Sequence, residues 1–323
     1  GLVRLFNFLN LPKVSIQWGV FLYLTGGAVI AKFLVGHVTL GCFFLYPLFL
    51  AMSYQLSEDS LWENRKMVFF YWLLFVYCGI HKPNFLIQGA PPLLLEVCVR
   101  AFLRRQPSLL AVFCIGMVFS VSVNAVTYLP AAHYFSSFPR PNNGGESEFI
   151  PLHTFLANVL LPLKTIPNAW YGPRFLQRHE YNLFLPPLAL YFVIRAFQRI
   201  QHSPETIACA IMGVFSLFLG LGATDETLSW LPFTWLRPVW PGFESIRVST
   251  RFWYATFLWL VIFSAIGFQI AQSKRGRYAL ISLGLLPLII TSGINLFKTS
   301  VLAKHTQWLT SSEYPGTIDL VEN

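Results

Sequence analysis

The sequence predicts an all-α polytopic membrane protein, and three observations carry that expectation. Of the 323 residues, 55% are hydrophobic and only 11% are charged, against roughly 25% charged in soluble globular domains. Several apolar runs approach the ~20 residues that a helix needs to cross the hydrocarbon of a bilayer. Short segments of alternating polarity, the signature of a membrane β-barrel, do not occur.

Nine candidate spans follow in order, at roughly 14–35, 38–56, 67–80, 84–103, 109–130, 181–199, 205–223, 251–271 and 277–297. His81-Lys82-Pro83-Asn84 parts the third from the fourth. It is either a tight turn between two helices or the break in one helix that lines a cavity. Gly26-Gly27 in the first span reads as a point of close helix packing. The cysteines Cys42, Cys78, Cys98, Cys114 and Cys209 all lie in apolar segments without C-x-x-C spacing. They read as small packing residues, neither disulfide partners nor metal ligands.

The net charge of +9 does not imply a nucleic-acid partner here. The bases cluster at the ends of apolar runs, where membrane topology and anionic lipid account for them. Arg4, Lys13, Arg65, Lys66, Arg100, Arg104, Arg105, Arg195, Arg199, Lys274, Arg275 and Arg277 all fall on one side of a nine-span chain. Their connections are short, so the positive-inside rule places them, and the N-terminus of this chain, in the cytoplasm. The other side holds two long loops, 131–180 and 224–250, and the tail 298–323. Residues 1–323 thus form a single transmembrane domain. The opening GLVRLFNFLN has neither an initiator Met nor a signal-peptide pattern, which leads us to expect the later part of a longer chain.

Within the first loop, Phe149 to Leu163 is apolar but broken by His153, Thr154 and Asn158, as in a helix lying in the interface plane. In the second, Trp230, Trp235 and Trp240 among prolines suit the headgroup level of a re-entrant or interfacial segment. No fixed-period repeat is evident.

The most informative residues are Arg247 and Arg251, in PGFESIRVSTRF at the mouth of the apolar stretch from Phe252 to Ile270. On a helix, residues four apart share a face, so both guanidiniums could converge on one anion. Arginine stays charged and binds phosphate bidentately. The alternative is a pair of interfacial anchors. His37, at a helix junction, is either a hydrogen-bonded interfacial residue or a donor to phosphate or sugar oxygen. His81 and Lys82 carry the same two readings, with the functional one strengthened by an ionisable turn inside a long apolar stretch. Arg140 in SSFPRPNNGGE is a solvent-exposed turn residue or a third guanidinium on that side. Glu180 is a candidate general base or an ion-pair partner of Arg178 or Arg174. Asp225 and Glu226 are candidate ligands of a divalent cation or an ordinary helix-end turn. No Walker A loop, G-x-G-x-x-G, H-E-x-x-H or G-x-S-x-G motif occurs.

Five segments in order resemble large bacterial polytopic proteins with a GT-C glycosyltransferase-like fold, including YfhO-like proteins. They are GHVTLGCFFLYPLFL, CGIHKPNFLI, VNAVTYLPAAHYFSSFPRP, HEYNLFLPPLAL and PGFESIRVSTRF, across roughly residues 20 to 270. Lys82 separates His81 from Pro83, the "HEY" at the entry to the sixth span lacks the following glycine, and Ser249 stands where proline is usual. The resemblance implies a bacterial inner-membrane transferase using a polyprenyl-phosphate-linked sugar at the extracytoplasmic face. In such enzymes the catalytic acid usually lies in an early extracytoplasmic loop, before the part that this chain matches. Two other functions compete: a non-catalytic integral subunit of a larger membrane complex, and a lipid or polysaccharide transporter.

Overall fold

The chain is described by a computed structural model over residues 1–29, 44–58, 64–81, 85–137, 150, 152–161, 183–197, 203–222, 230–240, 243 and 249–271. Among these residues all regular structure is helical. The helices are α1 (Leu2–Phe8), α2 (Lys13–Thr25), α3 (Tyr46–Glu58), α4 (Arg65–His81), α5 (Ala90–Arg104), α6 (Pro107–Val123), α7 (Ala125–Ser137), α8 (Leu152–Leu160), α9 (Pro187–Phe197), α10 (Pro204–Gly220), α11 (Pro232–Val239) and α12 (Trp253–Ala271). A π-helix, Phe85–Gly89, runs into α5, and a 3-10 turn, Ser249–Phe252, runs into α12. The expected ninth span and the tail lie outside the described residues.

Among the described residues, two helices are long and apolar enough to cross a membrane: Phe85–Arg104 with 20 residues and Ser249–Ile270 with 22, each about 30 Å at 1.5 Å per residue. The second is the hub of the bundle. Trp253, Ala255, Phe257, Leu258, Val261 and Phe263 on it are all buried. Around the periphery, apolar side chains face outward instead. Phe69, Phe70 and Leu73 on α4 and Ile115, Val118 and Phe119 on α6 are exposed. Such continuous apolar surface is unusual on a soluble monomer.

Close packing on the hub is made possible by glycine. A Cβ at Gly213 would overlap the Trp259 indole, one at Gly220 the Trp253 indole, and one at Gly267 the Phe192 carbonyl. The expected contact at Gly26 is present too: the Phe257 ring occupies the space a side chain would take. Gly26 also ends α2, with the extended backbone of its C-cap, so the first candidate span bends there.

The contacts give relative directions. Trp18 Nε1 donates to Ser264 Oγ at 3.0 Å while Gly26 meets Phe257, so α2 and α12 are antiparallel. Tyr46 reaches Gly89 and Ser53 reaches Arg100, so α3 and α5 are parallel. Trp72 bonds Val112 and Tyr128 bonds Gly79, so α4 runs parallel to α6 and α7. The Gly213–Trp259 and Gly220–Trp253 contacts make α10 and α12 antiparallel. Each of these directions is the one that nine alternating spans require. For α9 it is the reverse. Phe192 packs on Phe268, and Phe197 on Phe263 and Trp259, so α9 runs against α12 where alternation asks for parallel helices. The described part of α9 has 11 residues, about 16 Å.

The fifth candidate span is divided at Asn124. Its amide donates to Ser120 O at 2.8 Å, and α7 departs at Ala125. Ser120 Oγ and Tyr128 Oη donate to Phe75 O and Gly79 O on α4 at 2.8 and 2.7 Å. These polar bonds hold two helices that expose apolar flanks, as polar side chains do between membrane helices.

Candidate functional site

Of the residues singled out from the sequence, His37, Lys82, Arg140, Glu180, Asp225, Glu226 and Arg247 lie outside the described residues. His81 is the last residue of α4. Arg251 is partly buried in the 3-10 turn that begins the hub. It does not stand on an α-helix, so the shared-face argument for Arg247 and Arg251 does not apply to it.

The turn is anchored to carbonyls at the C-terminal end of α10. Ser249 Oγ donates to Gly220 O at 3.1 Å and Trp253 Nε1 to Leu217 O at 3.1 Å. One turn further, Thr256 Oγ1 donates to Gly213 O at 3.0 Å. Beneath Arg251, Phe252 enters a small satellite core with Leu219, Phe233 and Phe243, flanked by Ile87 and Trp240. The rings of Phe233 and Phe243 lie 4.9 Å apart, and those of Phe243 and Phe252 5.5 Å. The tryptophan-rich loop therefore contributes α11 as a lid on this core, with Trp230 and Trp235 exposed.

The other loop helix, α8, occupies part of the segment expected to form an interfacial helix. It buries Thr154 and Asn158 and exposes Leu152, Leu156 and Leu160, an i, i+4, i+8 apolar stripe. Phe155 packs edge-on against Trp253 at 5.0 Å, next to the Arg251 turn.

The π-helix packs against the 3-10 turn. Its irregularity follows from Pro91 and Pro92, which lie at the start of α5. An α-helical carbonyl accepts from the N–H four residues on, and proline has none. The Ile87 and Gln88 carbonyls thus have no α-helical donor, and at Ile87 the fifth residue on, Pro92, offers none either. From behind, the segment is fixed by Tyr46, which donates to Gly89 O at 2.8 Å, and by Phe85 stacked on Phe49 at 5.2 Å. In front, Gln88 is 3% and Thr250 2% exposed. Gln88 Oε1 and Thr250 Oγ1 have no hydrogen-bond partner among the described residues. Such groups are costly to bury unless something satisfies them. The end of the bundle at Arg251 therefore combines a guanidinium, unfilled acceptors and two irregular backbone segments. Sequence reasoning passed over Gln88, although an amide just before Pro91-Pro92 was a usable signal.

The opposite end of α5 holds a second polar cluster. Arg100 is fully buried, and so is Glu96, with Arg100 Nε donating to Glu96 Oε1 at 2.9 Å. Arg100 also donates to Ser53 O at 2.9 Å and to Ser53 Oγ, and its guanidinium lies 4.9 Å from the centroid of the Tyr54 ring. Next to it, Arg104 Nε donates to Glu205 Oε1 at 2.6 Å, and Tyr54 Oη to Glu205 O at 3.3 Å. Arg100 was counted from the sequence among the loop bases that set topology. It is instead an internal residue, because an i, i+4 carboxylate within the same apolar helix compensates it.

Among the described residues no group of three or more His, Cys, Asp or Glu could hold a metal. Cys78, Cys98, Cys114 and Cys209 form no disulfide among the described residues. An open hollow of about 740 Å³ beside Arg105 and Pro107 lies at the α5–α6 turn, away from Arg251. No family model matches the chain, and no curated protein or solved structure does either.

Proposed function

We propose that the chain is a GT-C-like membrane protein that binds a polyprenyl-phosphate-linked sugar at the Arg251 end of the bundle, on the extracytoplasmic side of a bacterial inner membrane. The observation that carries this reading is the position of Arg251. It is a permanent cation held by a rigid turn at the mouth of the most apolar helix, within a molecule whose periphery is apolar. A lipid phosphate needs both features: a guanidinium for its oxygens and hydrocarbon contact for its tail. The five-segment resemblance supports the same ligand. Nine alternating spans would set Arg251 opposite the basic short loops, and most of the helix directions agree with that count.

In the transfer reaction, an acceptor hydroxyl oxygen bonds to the anomeric carbon and the bond from that carbon to the phosphate oxygen breaks. The prenyl phosphate leaves with the electron pair, and the acceptor proton passes to a base, for which Glu180 is this chain's candidate. Arg251, with Arg247, Arg140, His37, His81 and Lys82 as further candidates, stabilises the charge gathering on the leaving phosphate. A divalent cation on Asp225 and Glu226 would serve the same end.

The test uses the purified protein in lipid nanodiscs with a polyprenyl-phosphate hexose. Binding and release of polyprenyl phosphate are expected, with Arg251→Ala weakening binding at least tenfold and Arg251→Lys less. Unchanged binding by the Arg247→Ala/Arg251→Ala double variant would remove the proposed site. The second reading, a non-catalytic subunit of a membrane complex, is favoured by one observation. The carboxylates with described side chains, Glu96 and Glu205, sit in ion pairs at the far end of α5. A stoichiometric partner after mild extraction, with binding but no turnover, would select it.

A further inference from the structure

The geometry points to Gln88, with Thr250, as the part of this site that recognises sugar hydroxyls, so that the ligand is discriminated by its sugar and not by its phosphate alone. The inference rests on the reading above, in which Arg251 takes the phosphate. Its own footing is separate. Gln88 and Thr250 lie on two elements that pack against each other, the π-helix and the 3-10 turn. Each is more than nine-tenths buried, and each carries a side-chain oxygen without a partner among the described residues. The main-chain carbonyl of Ile87 adds an acceptor, because neither Pro91 nor Pro92 can supply it a helical donor.

Acceptors concentrated in this way call for a ligand that donates several hydrogen bonds from one rigid body. A hexose does so through its hydroxyls; a phosphate ester at neutral pH has no such donors. The neighbouring guanidinium in the same turn excludes an ammonium or metal cation as the preferred occupant. Segments with π-helical geometry recur at ligand sites, and here Tyr46 and Phe85 anchor from behind the backbone that carries Gln88. A rigid site of this kind rejects an analogue without the matching hydroxyl, because its own buried groups are then left unpaired.

The experiment measures the affinity of the whole protein in nanodiscs for two probes, a polyprenyl phosphate and the same lipid carrying a hexose. Wild type is expected to favour the hexose-bearing lipid by about ten- to hundredfold. Gln88→Leu should reduce that preference to within about threefold, leave the bare lipid's affinity unchanged and not lower the melting temperature. Thr250→Val should do the same to a smaller extent and serves as the second variant if Gln88→Leu does not fold. Arg251→Ala should weaken both probes alike. A preference that survives both substitutions overturns the inference while leaving the phosphate site standing, as does equal wild-type affinity for the two lipids. If wild type binds neither probe, the proposed function itself fails and the assignment of Gln88 fails with it.

Discussion

The two ends of α5 treat buried polar groups in opposite ways. At the Arg104 end, carboxylates, guanidiniums, a hydroxyl and an aromatic face are paired with one another: Glu96 and Ser53 with Arg100, and Glu205 with Arg104. The backbone there is regular α-helix up to Arg104 and turns left-handed at Arg105; just beyond the paired groups, Gln106 Oε1 lacks a partner among the described residues. At the Arg251 end the backbone turns to π and 3-10 geometry, and Gln88 and Thr250 keep oxygens without partners among the described residues. A closed network specifies how α3, α5 and α10 fit together. An open one costs stability, and a protein retains such a cost where a ligand offsets it. The difference gives structural work to one end and fits the recognition proposed for the other.

The largest expected effect tests the closed end. Glu96→Ala leaves Arg100 charged and unpaired at a fully buried site, and removing one partner of such a pair typically costs about 3–5 kcal/mol. Unfolding in mixed detergent micelles should show that loss. Replacing both residues by Leu and Met should restore most of it, because no orphaned charge remains. If the single and double variants are equally unstable, the network is holding the helices by shape and not by charge.

Next in size are the close approaches on the hub. Gly267→Ala places a Cβ against the Phe192 carbonyl, and overpacking of this kind costs about 1–3 kcal/mol. Since the clash is with main chain, α9 must move away from α12. A melting temperature unchanged by this substitution would show that α9 does not lie on the hub. Arg104→Ala is expected to cost less than Glu96→Ala, about 1–2 kcal/mol, because Arg104 is 29% exposed while Glu205 is 4% exposed and solvent screens part of the interaction.

These outcomes also bear on what the amino-acid order revealed. The helical class, the apolar runs, the packing role of Gly26 and the helix beginning after Arg251 were all legible, because composition and run length report directly on burial in an apolar phase. Spans were harder to bound. Asn124 divides one candidate span by bonding Ser120 O and the neighbouring helix, and hydropathy does not register such a contact. Arg100 was placed among loop bases because its partner was not considered, although Glu96 lies four residues away. At the proposed site, Arg251 was singled out from its charge and its place before an apolar stretch. Gln88 was not, since a neutral amide carries no charge signal. Its meaning arises only when Pro91 and Pro92 deny donors to the preceding turn and the 3-10 segment is packed in front of it.

The smallest expected effect has the opposite sign, and it separates the two ends most sharply. Gln88→Leu removes an amide oxygen that has no partner among the described residues and fills similar space with apolar atoms. In the absence of ligand, stability should stay level or rise by up to about 1 kcal/mol, since replacing an unsatisfied polar group by one of like shape is neutral or favourable. At the other end of the same helix, deleting any of the paired groups of Glu96, Arg100, Arg104 or Glu205 should lose stability. If Gln88→Leu instead destabilises as Arg104→Ala does, the amide is part of a closed network too. The contrast between the ends of α5 would then reduce to a difference in backbone geometry, with nothing left open for a ligand to satisfy.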